Sequence, residues 1–235
     1  VLSHLTEGLR ATDRPQVLDP FMGAGTTLVE GMLLGMPTRG NDLNPIATLV
    51  ARERTRPRPA PEAETLRQHL LRIGATVESL RQDKHAPRHL LKTPKRILPL
   101  YQTRLLAELM QWMRLISALP AGPGRETLRA IFSAGAVKFS NLTADSREDE
   151  APPRYPKGAV TRYLVDKGEE LLRAQQALQR RLPPHTPTPL LLCEDARLLP
   201  SLGWDSVDLV LTSPPYPGTY DYYRQHRLRM DWLEL

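Results

Sequence analysis

A single cysteine stands in 235 residues, so the chain can hold neither an internal disulfide nor a cysteine-rich metal centre. No run of 18 apolar residues occurs, and the opening Val1-Leu-Ser-His-Leu5 lacks the charged-then-apolar pattern of a secretion signal. A soluble, cytoplasmic protein with no membrane partner is the expectation. No segment repeats, and no Gly-Lys-Ser/Thr follows the glycines, which excludes a P-loop. Acidic residues are in deficit, 26 against 32 Lys and Arg, for a net charge of +6 and a pI near 9.7. That balance favours an acidic partner without naming it. The chain begins with Val rather than Met, and a piece of something longer is expected.

The positive charge is unevenly placed. Between Arg52 and Arg104 stand 13 Lys and Arg against 5 Asp and Glu, an excess of 8 that exceeds the whole chain's +6. Arg88, Lys92, Lys95 and Arg96 in that stretch are expected to contribute sequence-independent phosphate contacts.

The most informative stretch is Val207-Asp-Leu-Val-Leu-Thr-Ser-Pro-Pro-Tyr216. Its apolar run leading into a polar tip reads as a buried parallel strand with chemistry at its carboxyl end. Pro214 and Pro215 fix their own φ and constrain the residues before them. Lacking N–H groups, they leave the tip with carbonyls, the Ser213 hydroxyl and the Tyr216 ring. Such a tip suits a flat, amine-bearing ring, with acceptors for the amine hydrogens and an aromatic face to stack on. The plain alternative is a proline-rich turn with a packing tyrosine.

A second stretch, Gln16-Val-Leu-Asp-Pro-Phe-Met-Gly-Ala-Gly-Thr-Thr-Leu-Val-Glu30, reads as strand, glycine turn and helix. Gly23 and Gly25 allow a tight turn and close approach to a ligand, and Thr26 or Thr27 is expected to cap the helix. Leu28, Met32 and Met36 share its face, and Gly35 and Pro37 stop it. A strand over Thr38–Asn41 then ends in Asp42, placed as an acidic residue for ribose hydroxyls would be; the alternative for Asp42 is a helix cap. A helix follows from Ile46 to about Glu53. Leu28 stands where a dinucleotide fingerprint wants a small residue, which weakens a nicotinamide reading.

Together, Asp19-Pro-Phe-Met-Gly-Ala-Gly-Thr26 and Thr212-Ser-Pro-Pro-Tyr216 resemble the cofactor and catalytic motifs of the S-adenosylmethionine-dependent amino DNA methyltransferases. The SPPY form is the one typical of the N4-cytosine enzymes. The resemblance covers roughly residues 16–50 and 190–225. It implies S-adenosyl-L-methionine as cofactor, bound by Asp19, Phe21, Gly23, Gly25, Thr26, Asp42 and Asp195, the last toward the adenine amine. It implies a catalytic set of Ser213, Pro214, Pro215 and Tyr216, double-stranded DNA as partner, and no metal. Adenine N6 as the target is the alternative, although family members of that type usually carry Asp or Asn where Ser213 stands. A nucleic-acid-binding module without activity is the third reading.

The expected fold is α/β, a Rossmann-like, mostly parallel open sheet. Residues 1–56 form its cofactor half, 57–189 a mainly helical insertion between the second and third strands, and 190–235 the remainder. Relative to the family, three strands after the catalytic loop are lacking, so the expectation is a sheet with one bare flank, completed by a missing segment or a second chain. Within the insertion, Arg54 to Pro61 reads as a stiff linker. Leu66, Leu70, Ile73, Val77 and Leu80 mark one helix face, and Leu105, Leu109, Trp112 and Ile116 a second. A third helix spans Thr127–Phe139. Polar Asn141–Pro156 reads as a loop, and Leu171, Ala174, Leu178 and Leu182 align on a fourth helix. Residues Ser3–Arg10 read as a short lead-in helix. Leu190–Cys193 is the third strand. Cys193 reads as a core thiol, which argues against methylation at cytosine C5, a reaction that needs an exposed nucleophilic cysteine. Tyr220 to Leu233 reads as a basic, aromatic helix.

Overall fold

The computed structural model describes residues 14–82, 95–142, 154–214 and 222–235. Two compact units emerge. One comprises the described residues up to Ala60 together with those from Arg173 to 214; the other holds the described residues of Pro61–Leu172 and of the C-terminal helix. The lead-in helix expected over Ser3–Arg10 lies outside the described residues, as do residues 143–153 of the polar loop.

The first unit is an α/β layer built on four parallel strands, β1 (Val17–Asp19), β2 (Thr38–Asn41), β3 (Leu190–Leu192) and β4 (Leu209–Val210), in the order β3-β2-β1-β4. This is an open Rossmann-like sheet. The chain moves outward from β1 to β2 to β3 and then returns to the other side of β1. The β1/β4 crevice is therefore the topological switch point, where ligands of such sheets bind beyond the carboxyl ends.

Helix α1 (Thr26–Leu33) joins β1 to β2 and buries Leu28 and Met32. No side chain caps it, contrary to the expected Thr26 or Thr27. Gly25 is its N-cap, at φ 77°, and threonine resists that left-handed conformation. The helix closes where expected: Gly35 N–H donates to Met32 O and Met36 N–H to Gly31 O, the paired bonds of a Schellman motif. Helix α2 (Pro45–Arg54) is capped by the Asn44 side chain, which accepts from Ile46 N–H at 3.0 Å, with Pro45 as its first residue. The alternative of Asp42 as that cap is thereby replaced by Asn44.

Arg54 to Pro61 is not simply a solvated linker. Arg58 is 3% exposed. Its Nε donates to Gln175 Oε1 at 2.6 Å, and its guanidinium pairs with Glu53 at 3.4 Å. Gln175 donates in turn to the Glu53 carbonyl at 2.7 Å. A buried charge thus finds both a counter-charge and a hydrogen bond, the condition for tolerating it.

The strand over 207–211 departs from expectation. Only Leu209 and Val210 pair, and Val210 is 57% exposed. β4 is an edge strand rather than a buried one, and its outer side has no partner strand among the described residues.

The second unit is helical. It contains α3 (Ala60–Gln82) from Pro61 onward, a 3-10 helix (Lys95–Leu100), α4 (Thr103–Ser117), α5 (Pro123–Lys138), the first part of α6 (Ala159–Arg181), and α7 (Tyr222–Leu233). The expected faces of α3 and α4 are buried, apart from half-buried Leu80. On α6 the buried stripe is instead Leu164, Gly168, Leu172, Gln175 and Leu178, while Ala174 is exposed. A glycine and a glutamine on that stripe hid it from an apolar periodicity. Large rings fill this unit's core. Trp232 meets Phe132 edge-to-face at 5.2 Å, and its indole N–H donates to the Tyr101 hydroxyl at 2.9 Å. Burial pushes the Tyr101 phenol well above its usual range, and its O–H donates to Ala136 O.

Among the described residues no helix is long and apolar enough to cross a membrane. The basic excess of residues 52–104 is partly neutralised within the units. Arg67 pairs with Glu64 and Glu169, Arg81 with Glu78 and Arg96 with Asp231, while Arg58 is buried. Arg88, Lys92 and the Lys95 side chain lie outside the described parts.

Candidate active site

The carboxyl ends of all four strands belong to the first unit, and short polar side chains stitch them together. Asp19 closes β1 and is 4% exposed. Its Oδ1 accepts from Phe21 N–H at 3.2 Å and from the Thr212 hydroxyl at 2.6 Å. The first contact holds the start of the glycine turn; the second reaches the residue just before Ser213. The aspartate and tip of the two motifs, 193 positions apart in sequence, thus meet through one carboxylate.

Asn41 closes β2 and is fully buried. Its amide donates to Pro20 O at 3.3 Å and Glu194 O at 3.0 Å, and its oxygen accepts from Glu194 N–H at 2.9 Å. One side chain satisfies backbone groups from the loops after β1 and β3, and a buried amide needs such partners. Asp42 follows. Its Oδ2 accepts from Gly23 N–H at 3.0 Å and its Oδ1 from Asn44 N–H at 2.9 Å. Each oxygen keeps a further lone pair for a ligand hydroxyl.

The two turn glycines differ. Gly23, at φ 51°, has nothing within 4 Å of where a Cβ would stand. Gly25 is buried, and a Cβ there would lie 3.0 Å from Ala51 Cβ. Gly25 therefore serves the packing of α1 on α2, while the space beside Gly23 is open. Phe21 is 40% exposed and Thr26 is exposed. Arg54, at the end of α2, donates to Ala24 O at 3.1 Å and Thr26 Oγ1 at 3.3 Å. It brings a cation to the glycine turn that no motif had indicated.

Asp195 lies after β3. Its carboxylate accepts from Arg197 N–H at 3.0 Å and pairs with the Arg197 guanidinium, which holds its pKa down to about 2. Arg197 is 86% exposed at its side chain, so this partner is a surface one. Ser213 and Pro214 are exposed at the end of β4. Pro215 and Tyr216 lie outside the described residues.

Cys193 corrects an expectation. It is exposed, and its Sγ donates to Leu43 O at 3.6 Å. β3 is an edge strand whose burial begins only at Leu192, so its terminal thiol is not core. Burial of this thiol therefore no longer argues against C5 chemistry. Asn41, Asn44, Thr212 and Arg54 are the residues that sequence reasoning passed over. Thr212 and Asn41 had a signal, since each is a hydrogen-bonding side chain directly at the end of an apolar or short strand.

No family model matches the chain, and no solved structure matches it. A stretch of 42 residues is 43% identical to the Type II methyltransferase M.MvaI of Kocuria varians, covering 18% of this chain and 9% of that protein.

Proposed function

We propose that the chain carries the catalytic core of a DNA methyltransferase that transfers a methyl group from S-adenosyl-L-methionine to the N4 amine of cytosine. The observation that carries this reading is the 2.6 Å bond from Thr212 to Asp19, which unites the glycine-turn strand and the Ser-Pro-Pro strand at a switch point. The local likeness to a Type II methyltransferase supports the same class.

The residues fit the cofactor on one structural ground. Beside Gly23 there is open space at a left-handed turn, bordered by the Asp42 carboxylate bound to its amide. Phe21, Gly23 and Thr26 would hold the cofactor at the turn, Asp42 its ribose and Asp195 its adenine; Gly25 and Asp19 support the turn from behind. When bound, the cofactor supplies a methyl already activated on a sulfonium. The chain must then prepare the amine, whose lone pair is delocalised into the ring. Ser213 Oγ and the Pro214 carbonyl would accept hydrogen bonds from its two N–H groups and localise that pair on nitrogen. As the N–C bond formed and the S–C bond broke, the thioether would leave and one amine proton would pass to solvent, which reaches the exposed tip. Tyr216 stacks on the flipped base, with Pro215 stiffening the tip.

Ser213→Ala removes one acceptor and leaves both prolines. It is expected to lower the rate of methyl transfer by roughly 10²–10³-fold with cofactor affinity near the parent's. Chromatographic mass analysis of nucleosides from treated DNA reads the product. N4-methylcytosine supports the reading; N6-methyladenine, 5-methylcytosine or parental turnover in Ser213→Ala overturns it.

A further inference from the structure

Ser213 and Pro214 make no hydrogen bond to any described residue. The sheet's last ladder contact on this side is Leu211 N–H to Leu18 O at 2.9 Å. One residue further on, the Thr212 hydroxyl donates to Asp19 Oδ1 at 2.6 Å. β4 itself is two residues long and half-exposed, so its backbone ladder alone gives the tip little support. Asp19, by contrast, is buried at the end of a strand paired on both sides.

We propose that Asp19 is a positioning residue for the tip: through the Thr212 hydroxyl it fixes where Ser213 and Pro214 stand, and so sets the geometry of the target amine. This rests on the methyltransferase reading above and deepens it. The same Oδ1 also accepts Phe21 N–H at 3.2 Å, so one oxygen registers the glycine turn and the tip against each other. A displaced acceptor costs rate rather than affinity, because a misplacement of about 1 Å at a reacting group is felt mainly in the transition state.

The test compares Thr212→Val, which keeps the branched shape and loses the donor, with Thr212→Ser, which keeps the donor. Hydrogen exchange at the Leu211 amide, which donates to Leu18 O next to the tether, and steady-state methyl transfer are read on the same proteins. Thr212→Val is expected to speed exchange at that amide about tenfold and to lower kcat about tenfold, the worth of one ordinary hydrogen bond. KM for the cofactor should stay within about twofold of the parent's, and Thr212→Ser should restore both readouts. Unchanged exchange in Thr212→Val overturns the tether, as does Thr212→Ser behaving like Thr212→Val. A parent that methylates no nucleoside overturns the methyltransferase reading, and the exchange comparison then decides the tether by itself.

Discussion

The sheet unit and the helical unit are held together by different chemistry. At the strand ends, Asp19, Asn41 and Asp42 each bind backbone groups from neighbouring loops at 2.9–3.3 Å. In the helical unit the corresponding work falls to Phe132, Trp112 and Trp232, each 5% exposed or less. Polar stitching is directional and suits a site that must present atoms to a ligand. Apolar packing is roughly proportional to area and tolerates rearrangement. The unit with the motifs is the one that uses the directional interaction.

Phe132→Ala should break the apolar side of that comparison with the largest effect. The ring is fully buried and meets Trp232 edge-to-face, so its loss leaves a cavity and should destabilise the helical unit by about 3–5 kcal/mol. Urea unfolding followed by tryptophan fluorescence reads it. A loss below about 1 kcal/mol would mean that the core collapses freely around the gap.

Asn41→Leu attacks the polar side. It leaves Glu194 N–H, Glu194 O and Pro20 O without their partner. Those residues are half-buried rather than sealed, so water can reach them, and about 1–3 kcal/mol is expected. Asn41→Asp should keep the bond from Glu194 N–H but set a buried carboxylate against Pro20 O and Glu194 O, so it should be the more destabilising of the two. Calorimetric unfolding that ranks Asn41→Asp above Asn41→Leu would show that the acceptor outweighs the buried charge.

The same contrast explains what was legible. Helix faces on α3 and α4 follow from apolar spacing because their partners are apolar too; Leu66, Leu70, Leu105 and Trp112 are all buried. β2 was legible to the residue, and so was the glycine turn, whose sequence restricts its backbone. The buried stripe of α6 was not, because Gln175 is inside only for the sake of Arg58, 117 positions away. Cys193 and Val210 were misplaced for another reason. An apolar run says that a strand exists but not whether it lies at the edge, and β3 and β4 are the two edges. The motif residues can be singled out one by one in the sequence, while the contacts that join them cannot. Thr212 to Asp19 and Asn41 to Glu194 are meetings of distant segments, and short polar side chains carry no periodicity that would announce them.

The smallest expected effect concerns Asp195, the acidic site residue whose side-chain partner is a cation. Hydrogen bonds from the Arg197 side chain, then from its backbone N–H, depress its pKa from 3.8 to about 2. A carboxylate depressed on folding contributes stability that is present above its unfolded pKa and is lost as pH falls through its folded one. The window is therefore between about pH 4 and pH 2, with the protein less stable at the acid end. Because the pair is exposed, solvent screening keeps this contribution small. Its clearest readout is the carboxyl titration itself. In Arg197→Ala the side-chain donor is gone and the Asp195 midpoint should move up toward 3.8, while in Arg197→Lys it should recover only in part, since an ammonium lacks the planar fork that grips both oxygens. Raising the salt concentration should shift the parent midpoint in the same upward direction. If the midpoint is the same in the parent and Arg197→Ala, the pair does not form in solution. Asp195 would then lack a cationic partner, as Asp19 and Asp42 do among the described residues, and the contrast drawn for it would vanish.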